Sequence, residues 1–106
     1  MNRQQATSIS KEVREQVLKR DNDRCVICGS NFNLQIHHCF INRSHGGLGV
    51  KENLVTLCCQ CHFYADNGRT EQMNAVNNVI YGYMKSKYPY LDIKTLRYRK
   101  GNYEQL

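Results

Sequence analysis

The sequence predicts a small α+β domain that is held together by a metal ion. A chain of 106 residues has room for one domain and buries only about two-thirds of its unfolded surface, so its core needs added support. Two Cys-x-x-Cys pairs, separated by 29 residues, can supply that support. Because two β-prone stretches and several helical stretches fill the rest of the chain, we expect short strands, a structural metal site and flanking helices.

The distribution of apolar residues predicts neither secretion nor a membrane span. Met1–Ser10 is polar and has no apolar core segment, and nowhere do eighteen apolar residues follow one another. We therefore expect a cytoplasmic protein without a membrane partner. In such a reducing compartment, paired cysteines bind metal more often than they form disulfides.

The formal net charge of +6 is unevenly distributed along the chain. Residues 1–24 carry a balance of +2, residues 25–84 are neutral, and residues 85–106 carry +4. All six cysteines and all four histidines fall within the neutral part. A neutral centre with basic flanks indicates a chemical site with an anionic partner, and DNA is a partner of that kind.

The first predicted helix spans Lys11–Arg20. Ser10 can cap its N-terminus, and the polar stretch Asp21–Arg24 ends it. Its apolar residues recur at helical spacing, at Val13, Val17 and Leu18. We interpret it as a packing helix, which is followed by a tight knuckle at Cys25–Gly29.

The centre of the chain predicts two strands and a helix. Leu34–Ile41 has the pattern of a strand, and Leu54–Leu57 is a second, shorter β-prone run. Between them, Ser44–Gly49 holds three glycines in six residues and is expected to be a loop. A second knuckle, Cys58–Cys61, follows the second strand, and we expect a helix to begin after it.

The last third of the chain predicts a further helix and a basic tail. Asn67 and Gly68 end the preceding helix, Thr70 can cap the next one, and Pro89 ends it. Its apolar face is interpreted as core or subunit contact and consists of Met73, Val76, Ile80, Tyr83 and Met84. The single domain thus has three parts, residues 1–24, 25–68 and 69–106.

Four cysteines have the spacing of a structural zinc site: Cys25, Cys28, Cys58 and Cys61. A two-residue spacer lets both sulfurs of a pair turn toward one ion about 2.3 Å away without strain. A thioredoxin-like redox pair would need a single Cys-x-x-Cys in a βαβ setting. Because four thiolates close the coordination sphere, this Zn²⁺ is expected to hold the fold and to do no chemistry. The remaining Cys39 and Cys59 are interpreted as small buried side chains or incidental thiols.

Five short motifs follow one another between Arg24 and Asp66. In order they are Cys-x-x-Cys-Gly, His-His, Arg-Ser-His-Gly-Gly, Asn-Leu-Val-Thr-Leu-Cys and Cys-His. This order resembles the zinc-knuckle branch of the HNH endonucleases. The resemblance implies a ββα-metal fold and the metal-dependent hydrolysis of DNA phosphodiester bonds, with products that carry a 5′ phosphate and a 3′ hydroxyl.

The same resemblance implies roles for four residues. His37 and His62 would bind a catalytic divalent ion, which is Mg²⁺, Mn²⁺, Ni²⁺ or Zn²⁺, and His38 would be the general base. Asn53 would fix the loop and the base through hydrogen bonds. His62 can also be viewed as a zinc ligand in competition with a knuckle cysteine, but four cysteines already suffice for that ion.

Elementary chemistry supports a division of labour between the two adjacent histidines. Neighbouring residues of a strand point to opposite faces, so His37 and His38 do not easily bind one ion. One can be a ligand while the other takes a proton, because the pKa of imidazole suits a base near pH 7. A metal with two protein ligands keeps positions for water and phosphate oxygens, and phosphodiester hydrolysis needs these two functions.

Three further residues near the motifs have open roles. Asp66 lies four residues after His62 on the same helical face and is a candidate metal ligand, although related sequences often place a histidine there. Arg43 is a candidate phosphate contact, with a surface ion pair as the alternative. His45 is interpreted as a solvated loop residue, with an approach to phosphate as the alternative.

The tail interleaves basic residues with tyrosines, a pattern that suits phosphate contacts and stacking. Its candidate DNA-binding residues are Lys94, Arg97, Arg99 and Lys100, and a merely solvated tail is the alternative. Nothing resembles a separate recognition helix, so we expect weak sequence preference. The resemblance extends to small phage-type members, which implies phage terminase or other packaging proteins as partners and the host cytoplasm as the location.

Two other functions fit the same residues. A zinc-stabilised module would bind nucleic acid through its basic flanks without cutting it, and intact plasmid in the presence of divalent ions would indicate it. A zinc-folded adaptor would bind an acidic protein, and salt-insensitive indifference to DNA would favour it.

Overall fold

The computed structural model describes residues 1–100, which form the α+β domain that the sequence predicts. Its helices are α1 (Arg3–Thr7), α2 (Lys11–Arg20), α3 (Cys59–Asn67) and α4 (Thr70–Lys87), and its strands are β1 (Leu34–His38) and β2 (Leu54–Cys58). Short 3₁₀ turns cover Arg43–His45, Lys51–Asn53 and Ile93–Leu96. No helix in this part of the chain is both long and apolar enough to cross a bilayer. The last six residues of the predicted segment 69–106 lie outside the described residues.

The strands and α3 form the centre of the fold in the order β, β, α. β1 and β2 pair antiparallel, with His37 opposite Val55 and His38 opposite Leu54. Every residue of β2 is buried, because α2 and α3 both pack against this strand. α4 packs on α3 and closes the core with its apolar face, on which Val76, Ile80 and Met84 are buried. The prediction that this face is core is confirmed.

The first strand is shorter than predicted. It ends at His38 and not at Ile41. Past this point the backbone N–H groups of Phe40 and Ile41 donate to the Asn53 side-chain oxygen, at 3.1 and 3.0 Å. Because one buried amide takes both donors, the chain leaves the β-ladder and turns into the loop.

The sequence did not predict α1, and the predicted helices differ from those of the structure at two N-termini. α2 has the predicted bounds, and Ser10 caps it through its hydroxyl oxygen. α3 begins at Cys59, inside the second knuckle and not after it, since the Cys58 sulfur accepts a hydrogen bond from the first turn. The residue that caps α4 is Arg69 and not Thr70, which is already helical.

A buried ion pair at the end of α2 joins three elements. The Arg20 guanidinium donates twice to the Asp21 carboxylate, at 2.8 and 2.9 Å. Arg20 also donates to the Leu54 carbonyl oxygen at 2.7 Å. Asp21 accepts from the Thr56 backbone N–H at 2.9 Å and from the Tyr83 hydroxyl at 2.5 Å. The polar stretch that ends the helix in the sequence therefore connects α2 to β2 and α4.

Both ends of the described chain dock on the loop between the strands. The Gly49 N–H donates to the Ala6 carbonyl oxygen at 3.0 Å, and the Leu48 N–H donates to the Leu96 carbonyl oxygen at 2.8 Å. A Cβ at Gly49 would lie 1.9 Å from the Ser8 carbonyl oxygen. Glycine is thus required there because the N-terminal segment approaches the loop backbone directly.

Candidate active site

The sulfur atoms of the two knuckles come together in space. All four Sγ atoms lie within 4.8 Å of one another, those of Cys25, Cys28, Cys58 and Cys61. The Sγ atoms of Cys28 and Cys58 are 3.6 Å apart, and Zn–S bonds of about 2.3 Å separate the corners of a tetrahedron by about 3.8 Å. The Val26 N–H donates to the Thr56 carbonyl oxygen at 3.1 Å and ties the first knuckle to β2. The arrangement fits one structural zinc ion.

The protonation of the thiols also fits a bound cation. Burial alone raises the pKa of Cys25, but backbone N–H donors, led by that of Cys28, bring it down to about 7. Burial and the neighbouring sulfurs raise the pKa of Cys61 instead. Thiols this close together do not all ionise by themselves, because their negative charges repel. A Zn²⁺ ion among them removes that repulsion and holds all four as thiolates.

A second group of potential ligands lies where β1 meets α3. It consists of His37, His62 and Asp66, and one ligand atom of each lies within 4.8 Å of the other two. His62 Nε2 is 3.2 Å from one Asp66 oxygen, and His37 Nδ1 is 3.9 Å from the other. Bonds of about 2.1 Å place two ligand atoms of one ion about 3.0–4.2 Å apart. The three side chains therefore have the geometry to hold one divalent ion. Asp66, whose role the sequence left open, is the candidate for the third ligand.

The His62 ring is oriented by a residue of the facing strand. Gln35 Oε1 is hydrogen-bonded to His62 Nδ1, and because an amide oxygen can only accept, Nδ1 carries the proton. The lone pair of His62 is then on Nε2, the nitrogen that faces Asp66. Such an outer hydrogen bond fixes the tautomer that binds metal.

His37 is the most enclosed of the three candidate ligands. Its residue surface is 5 % exposed, and burial, together with the nearby imidazoles, lowers the pKa of His37 to about 4. The ring is therefore neutral at pH 7, which is the form that binds metal. Asp66 opposes this shift but is itself exposed.

His38 lies next to His37 on β1 but outside this group of ligands. Its Nε2 is 3.0 Å from the carbonyl oxygen of Thr7, in the N-terminal segment. Since a carbonyl oxygen can only accept, Nε2 donates and the lone pair of the ring is on Nδ1. Burial, followed by the positive charge of Arg43, lowers the pKa of His38 below its usual value. The side chain is a neutral imidazole with one nitrogen able to accept a proton.

Asn53 is fully buried and holds the loop that follows β1. Its side-chain oxygen accepts from Phe40 and Ile41, and its Nδ2 donates to the carbonyl oxygens of Ile41 and Leu48 at 3.0 Å. Its backbone oxygen accepts from the N–H of Cys39 at 2.8 Å. These contacts fit the loop-fixing role that the resemblance implies, and they hold the chain directly after His38.

The basic candidates for DNA binding are exposed side chains. Lys94, Arg97, Arg99 and Lys100 all face solvent. Arg97 pairs through its backbone with Gly47 in an isolated β-bridge, which brings the first part of the tail to the loop. Arg43 donates to the Ser8 hydroxyl at 3.1 Å, and His45 is exposed, as expected for a solvated loop residue.

The two cysteines outside the knuckle ligands have different environments. Cys39 is half-buried, and burial raises the pKa of its thiol to about 12. Cys59 is exposed, so the small buried side chain describes Cys39 and the incidental thiol describes Cys59.

Sequence reasoning missed three residues around the site. Gln35 is two residues before His37 and hence on the same strand face, a signal that could have placed it near the ligands. Arg3 donates to the Ser44 carbonyl oxygen at 2.7 Å, and Thr7 contacts His38. No local pattern predicts these last two contacts, because they join segments more than 30 residues apart.

Comparisons with known proteins concern this same central unit. The family model described as HNH endonuclease matches residues 25–68. The solved structure of the Type IV phosphorothioation-dependent restriction endonuclease ScoMcrA is similar, with a TM-score of 0.54 and 21% identity over 81% of this chain and 23% of that chain. At this identity the likeness concerns the fold alone, and the present chain spans less than a quarter of ScoMcrA. No curated protein matches the sequence. Residues 25–68, which contain β1, β2, α3 and both groups of candidate ligands, therefore match the HNH endonuclease family and its ββα-metal fold.

Proposed function

We propose that the protein is a metal-dependent endonuclease that hydrolyses DNA phosphodiester bonds with weak sequence preference. One observation carries the proposal. The ligand group of His37, His62 and Asp66 and the neutral imidazole of His38 belong to one ββα unit, which matches the HNH endonuclease family. A ligand group by itself would suit many metal proteins, but a neighbouring proton acceptor in this family's segment favours hydrolysis.

In this proposal His37, His62 and Asp66 hold the catalytic divalent ion. When bound, the ion supplies electrostatic stabilisation of the negative charge that develops on the phosphate oxygens and the departing 3′ oxygen. Two imidazoles and one carboxylate suit several divalent ions, so Mg²⁺, Mn²⁺, Ni²⁺ and Zn²⁺ are all candidates. The other proposed metal ion is the zinc on the four cysteines. It has no open coordination position and is proposed to hold the fold.

His38 is the proposed general base. The Thr7 carbonyl oxygen fixes the proton on Nε2, so Nδ1 is the atom that takes the proton of the attacking water. Burial lowers the pKa of His38, which keeps the ring neutral and ready to accept a proton at pH 7. Asn53 positions the base indirectly, by holding the loop that continues from it. Attack of the water oxygen at phosphorus breaks the bond to the 3′ oxygen, which takes up a proton from solvent, and the products carry a 5′ phosphate and a 3′ hydroxyl.

The proposed substrate is DNA, which the exposed basic residues hold through its phosphates. Arg43, Lys94, Arg97, Arg99 and Lys100 are the proposed contacts, and all five are exposed. Phosphate contacts carry no sequence information, which supports cleavage with weak sequence preference.

A plasmid assay with one variant tests the proposed reaction. Purified protein is incubated with supercoiled plasmid and each of the four divalent ions, and the appearance of nicked DNA is followed on agarose gels. His38→Ala should lower the nicking rate by about a hundredfold or more, because general base catalysis contributes about that much. His45→Ala is the matched control, since it removes an exposed histidine from the turn that follows β1.

The outcomes of this assay separate the candidate functions. Nicking by wild-type protein that survives in His38→Ala contradicts the assignment of the base. An intact plasmid with all four ions contradicts the endonuclease proposal and leaves the zinc-stabilised DNA-binding module. Binding of DNA by His38→Ala, measured in parallel, shows whether the substitution affects chemistry or the fold.

A cytoplasmic location and phage packaging partners complete the proposal. None of the six cysteines forms a disulfide in the structure, which fits a reducing compartment. A terminase or another packaging protein as partner rests on the resemblance to small phage-type members alone. Co-purification of a tagged chain with a terminase large subunit from infected cells would support that partner, and its absence from such pull-downs would count against it.

A further inference from the structure

A cleft lies between the N-terminal helix and the turn that follows β1. It has a volume of about 690 Å³ and is lined by α1 and by the first residues of the Arg43–His45 turn. Its lining residues are Arg3, Gln4, Thr7, Arg43 and Ser44. The cleft therefore presents two guanidinium groups from segments 40 residues apart, and α1 lies outside the part of the chain that matches the HNH family.

Both guanidiniums are held in place without being neutralised. Arg3 Nη2 donates to the Ser44 carbonyl oxygen at 2.7 Å, and Arg43 Nη2 donates to the Ser8 hydroxyl at 3.1 Å. Within residues 1–100 neither arginine forms an ion pair with a carboxylate. Each group thus keeps its full charge and further N–H donors, and such a planar fork suits two oxygens of a phosphate.

The cleft adjoins the proposed base. Thr7 lines the cleft, and its carbonyl oxygen is the partner of His38 Nε2 at 3.0 Å. Thr7 is therefore the residue that connects an anion in the cleft with the imidazole of His38. A DNA strand that passes the base presents phosphates at regular intervals, so a phosphate beside the scissile one is the anion that this position favours.

We propose that this cleft is a binding subsite for a DNA backbone phosphate next to the scissile bond, and that Arg3 binds this phosphate together with Arg43. The subsite rests on the proposed function, since it assumes that DNA is the ligand of this face. It extends that function by making the N-terminal helix part of the DNA-binding surface. Both arginines contact a phosphodiester and not a base, so they strengthen binding without adding sequence preference.

Salt-dependent DNA binding tests the subsite. Protein purified with its zinc, without added divalent ion, is titrated into a fluorescein-labelled DNA duplex, and anisotropy is recorded over a range of KCl concentrations. Arg3→Gln should raise Kd about tenfold at low salt, because it removes a charge-assisted contact. It should also reduce the slope of log Kd against log salt by about 0.9, the value for one phosphate contact.

Two further variants distinguish a phosphate contact from a structural role of Arg3. Arg3→Lys keeps the charge and should keep the salt slope, even if the hydrogen bond to Ser44 is lost. Arg14→Gln removes the same charge from an exposed position on α2 and should change Kd less than twofold. If Arg3→Gln fails to fold by circular dichroism, Arg43→Gln takes its place, with the same expected loss of slope.

The salt slopes test the subsite, and the plasmid assay tests the endonuclease proposal, so the two proposals can fail independently. A salt slope in Arg3→Gln and Arg43→Gln equal to that of Arg14→Gln overturns the subsite, even if the wild-type protein nicks plasmid. A reduced slope supports the contact of Arg3 with a DNA backbone phosphate, even if no ion supports nicking and the endonuclease proposal fails. Direct binding of inorganic phosphate to the wild-type chain but not to Arg3→Gln, together with an unchanged Kd for DNA in Arg3→Gln, would instead identify a site for free phosphate and overturn the assignment to DNA.

Discussion

Asp66 is the side chain that would bring a negative charge to the candidate metal site. It lies one helical turn after His62, and its two oxygens face the nitrogens of His62 and His37. Two neutral imidazoles alone bring no negative charge to a divalent ion, whereas a carboxylate brings one and binds hard cations well. With Asp66 the candidate site offers three protein ligands and would still leave positions for water and phosphate oxygens.

Asp66→Asn is expected to weaken the catalytic ion without affecting the fold. The concentration of Mg²⁺ or Mn²⁺ that gives half-maximal nicking should rise about tenfold or more, because changes around metal ligands cost at least that much in affinity. The nicking rate should recover at high metal concentration. Glu71→Gln, which removes an exposed carboxylate from the first turn of α4, is the control. An unchanged metal dependence in Asp66→Asn would show that Asp66 is not a ligand.

The buried ion pair of Arg20 and Asp21 is expected to contribute to the free energy of unfolding. Burial alone raises the pKa of Asp21, but hydrogen bonds from Arg20 and Tyr83 outweigh it and bring the pKa below the ordinary value of 3.8. The folded protein thus binds fewer protons than the unfolded chain in this range. The stability from the pair is present above about pH 4 and is lost as pH falls through the lower, folded pKa.

Asp21→Asn should lower the free energy of unfolding by about 3 kcal/mol at pH 7, because it leaves the Arg20 charge buried without a partner. Urea unfolding of both proteins, followed by circular dichroism from pH 7 to pH 2, measures the difference. This difference should shrink below about pH 4, since the wild-type carboxylate is then protonated as well. Glu15→Gln, at an exposed position of α2, should unfold like the wild type. A difference that stays constant with pH would contradict the assigned ion pair.

At the scale of elements, the loop between the strands is the place where the site is assembled. α1 docks on it through the backbone of Gly49, and residues 96–98 dock on it through the backbone of residues 46–48. Asn53 holds its interior. Because α1 carries both the Thr7 carbonyl oxygen and Arg3, the position of this short helix couples the loop to the proposed base and to the cleft.

Gly49→Ala is expected to displace α1. Its Cβ would lie 1.9 Å from the Ser8 carbonyl oxygen, a contact that backbone atoms cannot relieve without moving, and such overpacking costs about 1–3 kcal/mol. Hydrogen exchange of residues 2–8 should become faster, and nicking should fall. Gly82→Ala adds the same methyl group where nothing lies within 4 Å, and it should stabilise α4 slightly. Unchanged exchange in residues 2–8 of Gly49→Ala would show that α1 does not depend on this contact.

At the scale of the whole molecule, the four-cysteine cluster is the candidate zinc site that could supply the support so small a core needs. The two knuckles lie at opposite ends of the central unit in sequence, and their four sulfurs meet in one cluster. Structural Zn²⁺ contributes on the order of 10 kcal/mol to the folding of small domains, which is comparable to the total stability of a protein of this size. A zinc ion bound there would therefore be expected to decide whether the strands and α3 stay together.

Cys28→Ser should release the zinc and unfold the domain. Elemental analysis should find about one tightly bound zinc per wild-type chain and much less in the variant, and the thermal transition of the variant should be lost or shifted far downward. Cys59→Ser is the control, because Cys59 is exposed and lies outside the cluster. A wild-type chain purified with far less than one zinc would contradict the four-cysteine site.

The spacing of residues that are close in sequence determined much of the secondary structure and the order of the motifs. The two-residue spacer of each knuckle, the cap and length of α2, the apolar face of α4 and the order of the five motifs are properties of neighbouring residues. They follow from the periods of helices and strands, so they could be predicted from the chain alone. The same reasoning placed Asp66 on the face of His62 but left its role open.

Only the tertiary structure decided which distant groups meet. The contact of His38 with Thr7, the pairing of Arg3 with the turn at Ser44, and the attachment of α4 to the Arg20–Asp21 pair join segments that are 31, 41 and 62 residues apart. Such contacts depend on how the elements pack, and no period of the sequence encodes them. The sequence by itself therefore determined the types of side chain at the candidate site and the segment that matches the HNH endonuclease family, whereas packing decided how the N-terminal helix adjoins that site.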